Sequence, residues 1–147
     1  RLLCEAFAGW MQATAFTTEA TAIIAVPMHP HKLRQRGFNT AYQLARSASR
    51  VLKLPLLEQA LKRDHLTDSQ AGLDKAARQH NLLGAFSVNA EALQGHRQLI
   101  LVDDVYTTGA TAQSCSQGLQ QAGVTHLHLL TLARALPPKP NRLPESA

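Results

Sequence analysis

Residues 99–111 read Leu-Ile-Leu-Val-Asp-Asp-Val-Tyr-Thr-Thr-Gly-Ala-Thr, and this stretch decides the fold class. Its first four residues form an unbroken apolar run, which is typical of a strand buried on both faces of a sheet. Asp103 and Asp104 follow at once, where the carboxyl end of that strand is expected. Apolar residues then recur at helical spacing over residues 112–122. The pattern therefore predicts a strand, a loop and a helix in succession.

The loop of this unit has the chemistry of a sugar-phosphate site. Ligands of open α/β sheets bind outside the carboxyl ends of the strands, and a helix N-terminus offers N–H groups to an anion. The two carboxylates suit ribose hydroxyls or a divalent cation. The alternative is a buried strand that ends in a solvated acidic turn. The predicted phosphate-binding residues are Thr107, Thr108, Gly109, Ala110 and Thr111, with the glycine allowing close approach of the backbone.

The remainder of the chain alternates between strand and helix patterns. This alternation predicts an α/β fold with a mainly parallel open sheet flanked by helices. Blurred alternation in the last strand predicts that it is buried. The predicted strands are 22–26, 57–62, 85–88 and 126–132, and the predicted helices are 2–16 and 38–54.

A second anion site is predicted after the strand 22–26. Residues 27–37 read as a basic loop, and its predicted ligand residues are Lys32, Arg34, Arg36 and Gly37. The start of the next helix at residues 38–39 adds a partial positive charge. The alternative for Asn39 is that it only caps that helix.

The long polar segment within residues 60–86 is predicted to be a functional lid or a disordered segment, and either would be consistent with a flap that closes over a phosphorylated ligand. Its candidate ligand residues are Arg63, Gln70 and Arg78.

Composition narrows the class of protein. A chain of 147 residues predicts one domain over residues 1–136, followed by a proline-rich tail over residues 137–147. No apolar run has the length of a membrane span, and the two cysteines fit a reducing cytoplasm. Ten of the fifteen Lys and Arg residues lie between positions 31 and 80, which predicts a surface for pyrophosphate or nucleic acid.

Residues 99–111 resemble the 5-phosphoribosyl-1-pyrophosphate (PRPP) motif of type I phosphoribosyltransferases at all thirteen positions. That motif has four apolar residues, two acids, an apolar and a variable residue, then Thr, Thr or Gly, Gly, a small residue and Thr. With the stretches Val-Pro-x-His…Leu-Arg-x-Arg-Gly-Phe-Asn and Arg-x3-Thr-x2-Gln-x2-Leu…Arg-x2-Asn-x2-Gly-Ala-Phe, the chain is similar to the ComF/GntX family over residues 22–135. The middle stretch also resembles glutamine amidophosphoribosyltransferases.

The resemblance implies a type I phosphoribosyltransferase fold that binds PRPP with Mg²⁺ and acts in competence, DNA uptake or the use of external DNA. Asp103 and Asp104 would be its catalytic acids, holding the ribose hydroxyls directly or through the water shell of the Mg²⁺, with no metal bound by the protein alone. Family members usually carry an N-terminal four-cysteine zinc ribbon, and Cys4 alone does not make one. Zinc is therefore expected only if a longer chain carries that ribbon.

Three functions are compatible with these residues. The first is transfer of a phosphoribosyl group from PRPP. The second is a non-catalytic accessory protein that binds single-stranded DNA or DNA-uptake proteins, and the third is a PRPP-sensing regulator. The acceptor and the oligomeric state are not specified by the sequence.

Overall fold

The computed structural model describes residues 2–14, 18–64 and 85–135, and it arranges them as helices around a parallel sheet. The predicted proline-rich tail and most of the predicted flap, including Gln70 and Arg78, lie outside the described residues. The helices are α1 (Leu2–Ala13), α2 (Pro30–Arg36), α3 (Thr40–Leu52) and α4 (Ala110–Gln121). The strands are β1 (Ala22–Ala25), β2 (Leu61–Arg63), β3 (Phe86–Val88), β4 (Gln98–Tyr106) and β5 (His126–Arg134), and a 3₁₀ turn spans Glu91–Leu93.

The main sheet is parallel, with the strand order β1-β4-β5. The other edge of β1 carries a short parallel bridge between Ile23 and Leu56. There the Ile23 N–H donates to the Pro55 carbonyl at 2.9 Å, and the Leu57 N–H donates to the Ile23 carbonyl at 2.8 Å. The prediction of a mainly parallel sheet flanked by helices is confirmed.

Alternation along β4 divides the core into two clusters. Leu99 and Leu101 pack in a cluster with α4 and with the small antiparallel pair β2–β3. Ile100 and Val102 pack in the other cluster, which contains α1 and α3. Because successive side chains of a strand leave on opposite faces, the central strand needs apolar residues at every position. This requirement explains the unbroken apolar run in the sequence.

The predicted basic loop 27–37 contains a helix, and that part of the prediction is wrong. Pro30 is the first residue of α2, where its fixed φ suits a helix and its missing N–H is no loss. Gly37 ends the helix at φ 77°, and its N–H donates to the Leu33 carbonyl at 2.8 Å. Proline therefore starts a helix here rather than interrupting one.

Strand β5 is also less buried than its apolar residues suggested. Leu130 is its one fully buried residue, while His128 and Leu129 are exposed. The reason is its position at the edge of the described sheet, where it has β4 on one side. Apolar residues alone do not distinguish such an edge strand from a central one.

Within the described ranges, no helix has the length and apolar character needed to cross a membrane.

Candidate functional site

The acid pair lies where β4 extends beyond β1. Ala25 ends β1 opposite Val102, whereas β4 continues beside β5 to Tyr106. Asp103 pairs with Thr131 in that extension, so the acids belong to the strand instead of following its end as predicted. The β4–β5 pairing continues this far because β5 extends to Arg134. The Arg134 guanidinium lies over the Tyr106 ring, 5.5 Å from its centre. The acids still lie at the carboxyl edge of the sheet, past the end of its neighbour β1.

Asp103 is the more unusual of the two acids. It continues the face of Leu99 and Leu101, so its side chain lies on the α4 side of the sheet and is half-buried. Its Oδ1 accepts a hydrogen bond from the Asp104 N–H at 2.8 Å. Burial raises the pKa of Asp103 to about 6; that hydrogen bond and the charge of Arg63 oppose the rise, and the Asp104 carboxylate adds to it.

Asp104 is not equivalent to Asp103. Alternation along the strand directs it toward the opposite face, but its carboxyl group remains close enough to that of Asp103 for a side-chain hydrogen bond that raises the pKa of Asp103. The Asp104 Oδ1 accepts a hydrogen bond from the Val105 N–H at 2.9 Å. The two carboxylates therefore share one edge of the sheet but have different surroundings, which the motif alone did not reveal.

Arg63 lies at the end of β2, on the Asp103 side of the sheet. Its guanidinium is centred 5.4 Å from the middle of the Phe86 ring, and the side chain is half-buried. Burial lowers the pKa of Arg63, while the nearby Cys115 and Asp103 act in the other direction. The sequence predicted Arg63 as a flap residue, and the structure puts it on a strand beside the acid.

Cys115 is the neutral neighbour of this acid and arginine. It is buried on α4, as its apolar periodicity predicted. Burial raises the pKa of its thiol to about 12, and the charge of Asp103 contributes to that rise. The thiol is therefore protonated at neutral pH and acts as a small core residue.

The predicted phosphate loop leads directly into α4. Gly109 is the residue before the helix, with φ 80°, and it has no side chain to cap the first turn; the Thr108 hydroxyl accepts a long hydrogen bond of 3.5 Å from the Ala110 N–H. A Cβ at Gly109 would lie 2.5 Å from the Tyr106 hydroxyl, so the close packing of loop on ring requires glycine. Thr107 and Thr108 are exposed, and Ala110 and Thr111 are half-buried in the first turn. The five residues thus form an open helix start with hydroxyls around it.

The predicted cations lie on α2, and the helix that follows it begins differently from α4. Arg34 and Arg36 are exposed on α2, and Lys32 is half-buried. The next helix, α3, is capped by Asn39, whose Oδ1 accepts from the Tyr42 N–H at 3.4 Å and whose Nδ2 donates to the Val26 carbonyl at 3.0 Å. The capping alternative for Asn39 is confirmed.

His29, the residue before α2, lies within electrostatic range of Arg63 on the Asp103 side of the sheet. Its Nδ1 accepts a hydrogen bond from the His31 N–H at 3.1 Å, and so it caps α2. Burial lowers the pKa of His29, and the charge of Arg63 lowers it further, with smaller effects from the α2 cations. Arg63 is therefore close enough to influence both Asp103 and the start of α2. Sequence reasoning missed this link because the three residues are far apart along the chain.

The donor set fits a magnesium ion that arrives with its ligand. Among the described residues, no group of three or more His, Cys, Asp or Glu side chains could hold a metal by itself. Mg²⁺ commonly uses one or two carboxylates together with substrate phosphates and water. Asp103 and Asp104 match that requirement, each with one carboxylate oxygen hydrogen-bonded to the backbone of the following residue.

Related sequences agree with this architecture. The chain is 39% identical over 115 residues to competence protein F of Haemophilus influenzae, covering 78% of this chain and 50% of that protein. It is 34% identical over 114 residues to the DNA utilization protein YhgH of Escherichia coli O157:H7, covering 78% and 49%. It is 27% identical over 133 residues to competence protein ComFC of Streptococcus pneumoniae, covering 90% and 57%. The chain belongs to the ComF family.

This ComF-family chain spans about half the length of the curated relatives it matches. No family model matches it. Among solved structures it resembles the allosteric regulatory enzyme of purine biosynthesis, with a TM-score of 0.58 at 18% identity over 88% of this chain and 25% of that one. The glutamine PRPP amidotransferase of B. subtilis, complexed with ADP and GMP, gives the same TM-score and identity over 88% and 26%. The fold is that of the type I phosphoribosyltransferases.

Proposed function

We propose that this ComF-family domain binds PRPP or a closely related ribose phosphate together with Mg²⁺. The observation that carries the proposal is the unit formed by β4, the loop and α4. It combines two carboxylates at the sheet edge with a helix start at which Gly109 is the N-cap residue and supplies no capping side chain. A phosphate suits the helix start, and ribose hydroxyls suit the acids.

Each part of the ligand has a counterpart in this arrangement. The 5′-phosphate would lie against the N–H groups and hydroxyls of residues 107–111. Asp103 and Asp104 would accept hydrogen bonds from the ribose hydroxyls, and Mg²⁺ would neutralise charge on the ligand. The α2 cations Lys32, Arg34 and Arg36 would face the pyrophosphate, supported by Gly37 at the end of the helix. Arg63 would act through its charge on Asp103, from a fixed position on β2 instead of from a moving flap.

Transfer of the ribosyl group would need no nucleophile from the protein. Departure of pyrophosphate from the anomeric carbon passes through a cation-like state, which carboxylates near the ribose stabilise electrostatically. The protein's remaining task is to hold the acceptor and the ribose in line. Binding without turnover would indicate instead a PRPP-sensing regulator with the same site.

Calorimetry with PRPP, with and without Mg²⁺, tests the proposal directly. The double variant Asp103→Asn with Asp104→Asn should weaken binding by about tenfold or more, because two ionised acceptors for hydroxyls are lost. Glu91→Gln, at an exposed acid in the 3₁₀ turn that precedes β4, is the matched control. Unchanged PRPP affinity in the double variant would contradict the ribose role. A pyrophosphate-release assay with candidate bases and amines then separates transfer from binding alone.

A second candidate function, binding of single-stranded DNA, is favoured by the exposed cations. Arg34, Arg36, Arg46 and Arg50 are exposed on α2 and α3, and relatives of the chain are named for competence and for DNA utilization. Exposed cations bind the phosphates of DNA without specifying its sequence.

Replacing Lys32, Arg34 and Arg36 with Ala separates the two functions. If these cations serve pyrophosphate, PRPP affinity falls while ribose 5-phosphate, which lacks that group, binds almost as before. If they serve DNA, the slope of log affinity against log salt shrinks by about 0.7 for each lost phosphate contact, and PRPP binding survives.

A further inference from the structure

Two cavities of the molecule adjoin each other across one exposed aromatic ring. The first, which we name the β1 cavity, has a volume of about 410 Å³ and lies between the end of β1, α2, α3 and residues 56–61. The second, the α1–α3 groove, has a volume of about 670 Å³. Phe38 and Gln43 line both, and the Phe38 side chain is 55% exposed. A ligand in one cavity can therefore continue over Phe38 into the other.

The β1 cavity combines an apolar lining with the polar side chains of Asn39, Tyr42 and Gln43 and one exposed acid. In the described part of the chain, Glu58 is the one charged residue that lines it. The Tyr42 hydroxyl donates a hydrogen bond to Glu58 Oε1 at 2.6 Å, and this bond raises the pKa of Tyr42. A cavity of mixed apolar and polar lining whose one charge is a carboxylate disfavours a phosphate and favours a flat group that carries N–H donors. Its apolar lining includes Pro27, Met28, Leu33, Leu56, Leu57 and Leu61.

The α1–α3 groove has the opposite charge preference. Arg46 and Arg50 line it from successive turns of α3, and Glu5 lines it from α1. The charge of Arg46 also reaches Tyr42 and acts to lower its pKa, so this arginine is close to the β1 cavity as well. Arginines at this spacing point the same way along a helix and suit successive phosphates.

From this charge pattern we infer that the two cavities take a segment of single-stranded DNA, with one unstacked base in the β1 cavity and the adjacent phosphates in the α1–α3 groove. Phe38 offers a ring on which a base stacks, and Glu58 accepts a hydrogen bond from the exocyclic amino group of the inserted base. Thymine lacks that amino group, so the site discriminates against it. This inference rests on the DNA-binding function proposed above, and its β1 cavity adjoins the proposed pyrophosphate side of the PRPP site at Gly37.

Fluorescence anisotropy with labelled dC12 and dT12, each at several salt concentrations, tests the inference. The wild-type chain should bind dC12 about fivefold more tightly than dT12, since one good base contact discriminates by about 1 kcal/mol. The salt slopes for the two oligonucleotides should be equal, because Glu58 contacts no phosphate.

Three variants locate the effect. Glu58→Gln should abolish most of the preference for dC12, since an amide can pair with either base. Removing a negative charge strengthens binding of both oligonucleotides equally, so the ratio of the dC12 and dT12 affinities reports the base contact alone. Phe38→Ala should weaken binding of both oligonucleotides by about fivefold or more, through lost stacking. Arg46→Ala with Arg50→Ala should reduce the salt slope by about 1.4. Glu19→Gln, an exposed acid before the opposite end of β1, should change none of these values.

The outcomes separate the inference from the function on which it rests. Equal binding of dC12 and dT12 by the wild type, or an unchanged preference in Glu58→Gln, would overturn the base site and leave DNA binding through phosphates intact. Glu58-dependent binding of free cytidine as tight as that of dC12 would assign the cavity to nucleosides and overturn a strand as its occupant. Failure of both oligonucleotides to bind would overturn the DNA function together with this inference.

Discussion

Helices α3 and α4 both begin beyond the end of a parallel strand, but their first turns are completed differently. Asn39 caps α3 with its side chain and also ties it to the Val26 carbonyl. Gly109 precedes α4 at φ 80° and offers no side chain, and the Thr108 hydroxyl accepts from the Ala110 N–H only at 3.5 Å. A helix start that is satisfied by its own side chain has less to offer an anion than one left open. The comparison favours α4 as the phosphate site and leaves α3 a structural role.

The preceding segments reinforce the same contrast. The segment before α3 supplies the cations of α2, whereas the segment before α4 supplies two carboxylates and two threonines. Cations suit the most highly charged part of a ribose phosphate, and carboxylates suit its hydroxyls. The cations of α2 and the carboxylates of β4 are thus chemically complementary groups beyond the ends of neighbouring strands.

The largest predicted effect is that of Gly109→Ala. An added Cβ would lie 2.5 Å from the Tyr106 hydroxyl at φ 80°, so both strain and overlap oppose it. We expect a loss of about 3 kcal/mol in the free energy of unfolding and at least tenfold in PRPP affinity. Urea denaturation and calorimetry measure the two effects.

Gly37→Ala is the matched control for Gly109→Ala. Gly37 has nearly the same φ, 77°, but an added Cβ there meets no atom within 4 Å. Its cost should be the backbone strain alone, about 1 kcal/mol. Equal losses of stability in the two alanine variants would show that the contact between loop and Tyr106 ring does not distinguish the two sites.

The sequence predicted the unit of β4 and α4 because its signals are local. An unbroken apolar run, a glycine before a helix and periodic small residues each act within a few positions of one another. It missed α2, since residues 27–37 were interpreted as a loop although Pro30 is favoured in the first turn of a helix. The inequality of Asp103 and Asp104 follows from simple alternation along a strand, but only once the strand is known to include them.

The position of Arg63 was not predictable from local patterns. It depends on β2 pairing with β3 and on that pair packing against α4, which are contacts between distant parts of the chain. The same holds for the exposure of β5, which depends on which strands lie beside it. Motifs locate chemistry along the chain, whereas burial and charge neighbours are set by tertiary structure.

The second prediction distinguishes Asp103 from Asp104 by the pH dependence of the free energy of unfolding. The pKa of Asp103 in the folded chain, about 6, lies above its ordinary value of 3.8. Folding therefore disfavours its ionised form, and the free energy of unfolding falls as pH rises from about 4 to about 6. Asp103→Asn should match the wild type in stability at pH 4 and exceed it at pH 7. The gain should be on the order of 1 kcal/mol, allowing for solvent screening of a half-buried group.

Asp104→Asn supplies the comparison for that pH experiment. It should retain the fall in stability between pH 4 and pH 6, since Asp103 is still present to titrate. The wild-type PRPP affinity should rise through the same interval as Asp103 becomes an acceptor. Any titration of the ligand's own phosphates is common to both variants. A pH step in stability that survives in Asp103→Asn but disappears in Asp104→Asn would reverse the assignment.

The third prediction concerns the capped helix. Asn39→Ala removes the cap of α3 and the hydrogen bond to the Val26 carbonyl, and should lower the free energy of unfolding by about 1–2 kcal/mol. PRPP affinity should change by less than about threefold, because this helix start is given no ligand role. Asn89→Ala, which removes a cap from the exposed 3₁₀ turn, is the control. A large loss of PRPP affinity in Asn39→Ala alone would restore α3 as an anion site.

The smallest predicted effect is a shift in the pH dependence of the site when Arg63 is replaced. The charge of Arg63 acts to lower the pKa of Asp103, so Arg63→Gln should raise the midpoint of the pH-dependent PRPP affinity by about half a unit. Arg63→Lys should restore most of the wild-type midpoint, and the exposed Lys62→Gln should leave it unchanged. Arg63→Gln also loses the contact with the Phe86 ring, and that loss lowers stability at every pH without moving a midpoint. The midpoint of the pH-dependent PRPP affinity is measured independently of stability. If Arg63→Gln shifts this midpoint and Arg63→Lys restores it, Arg63 acts through its charge on the pKa of Asp103. Equal midpoints in all three variants would reduce Arg63 to a packing residue of β2.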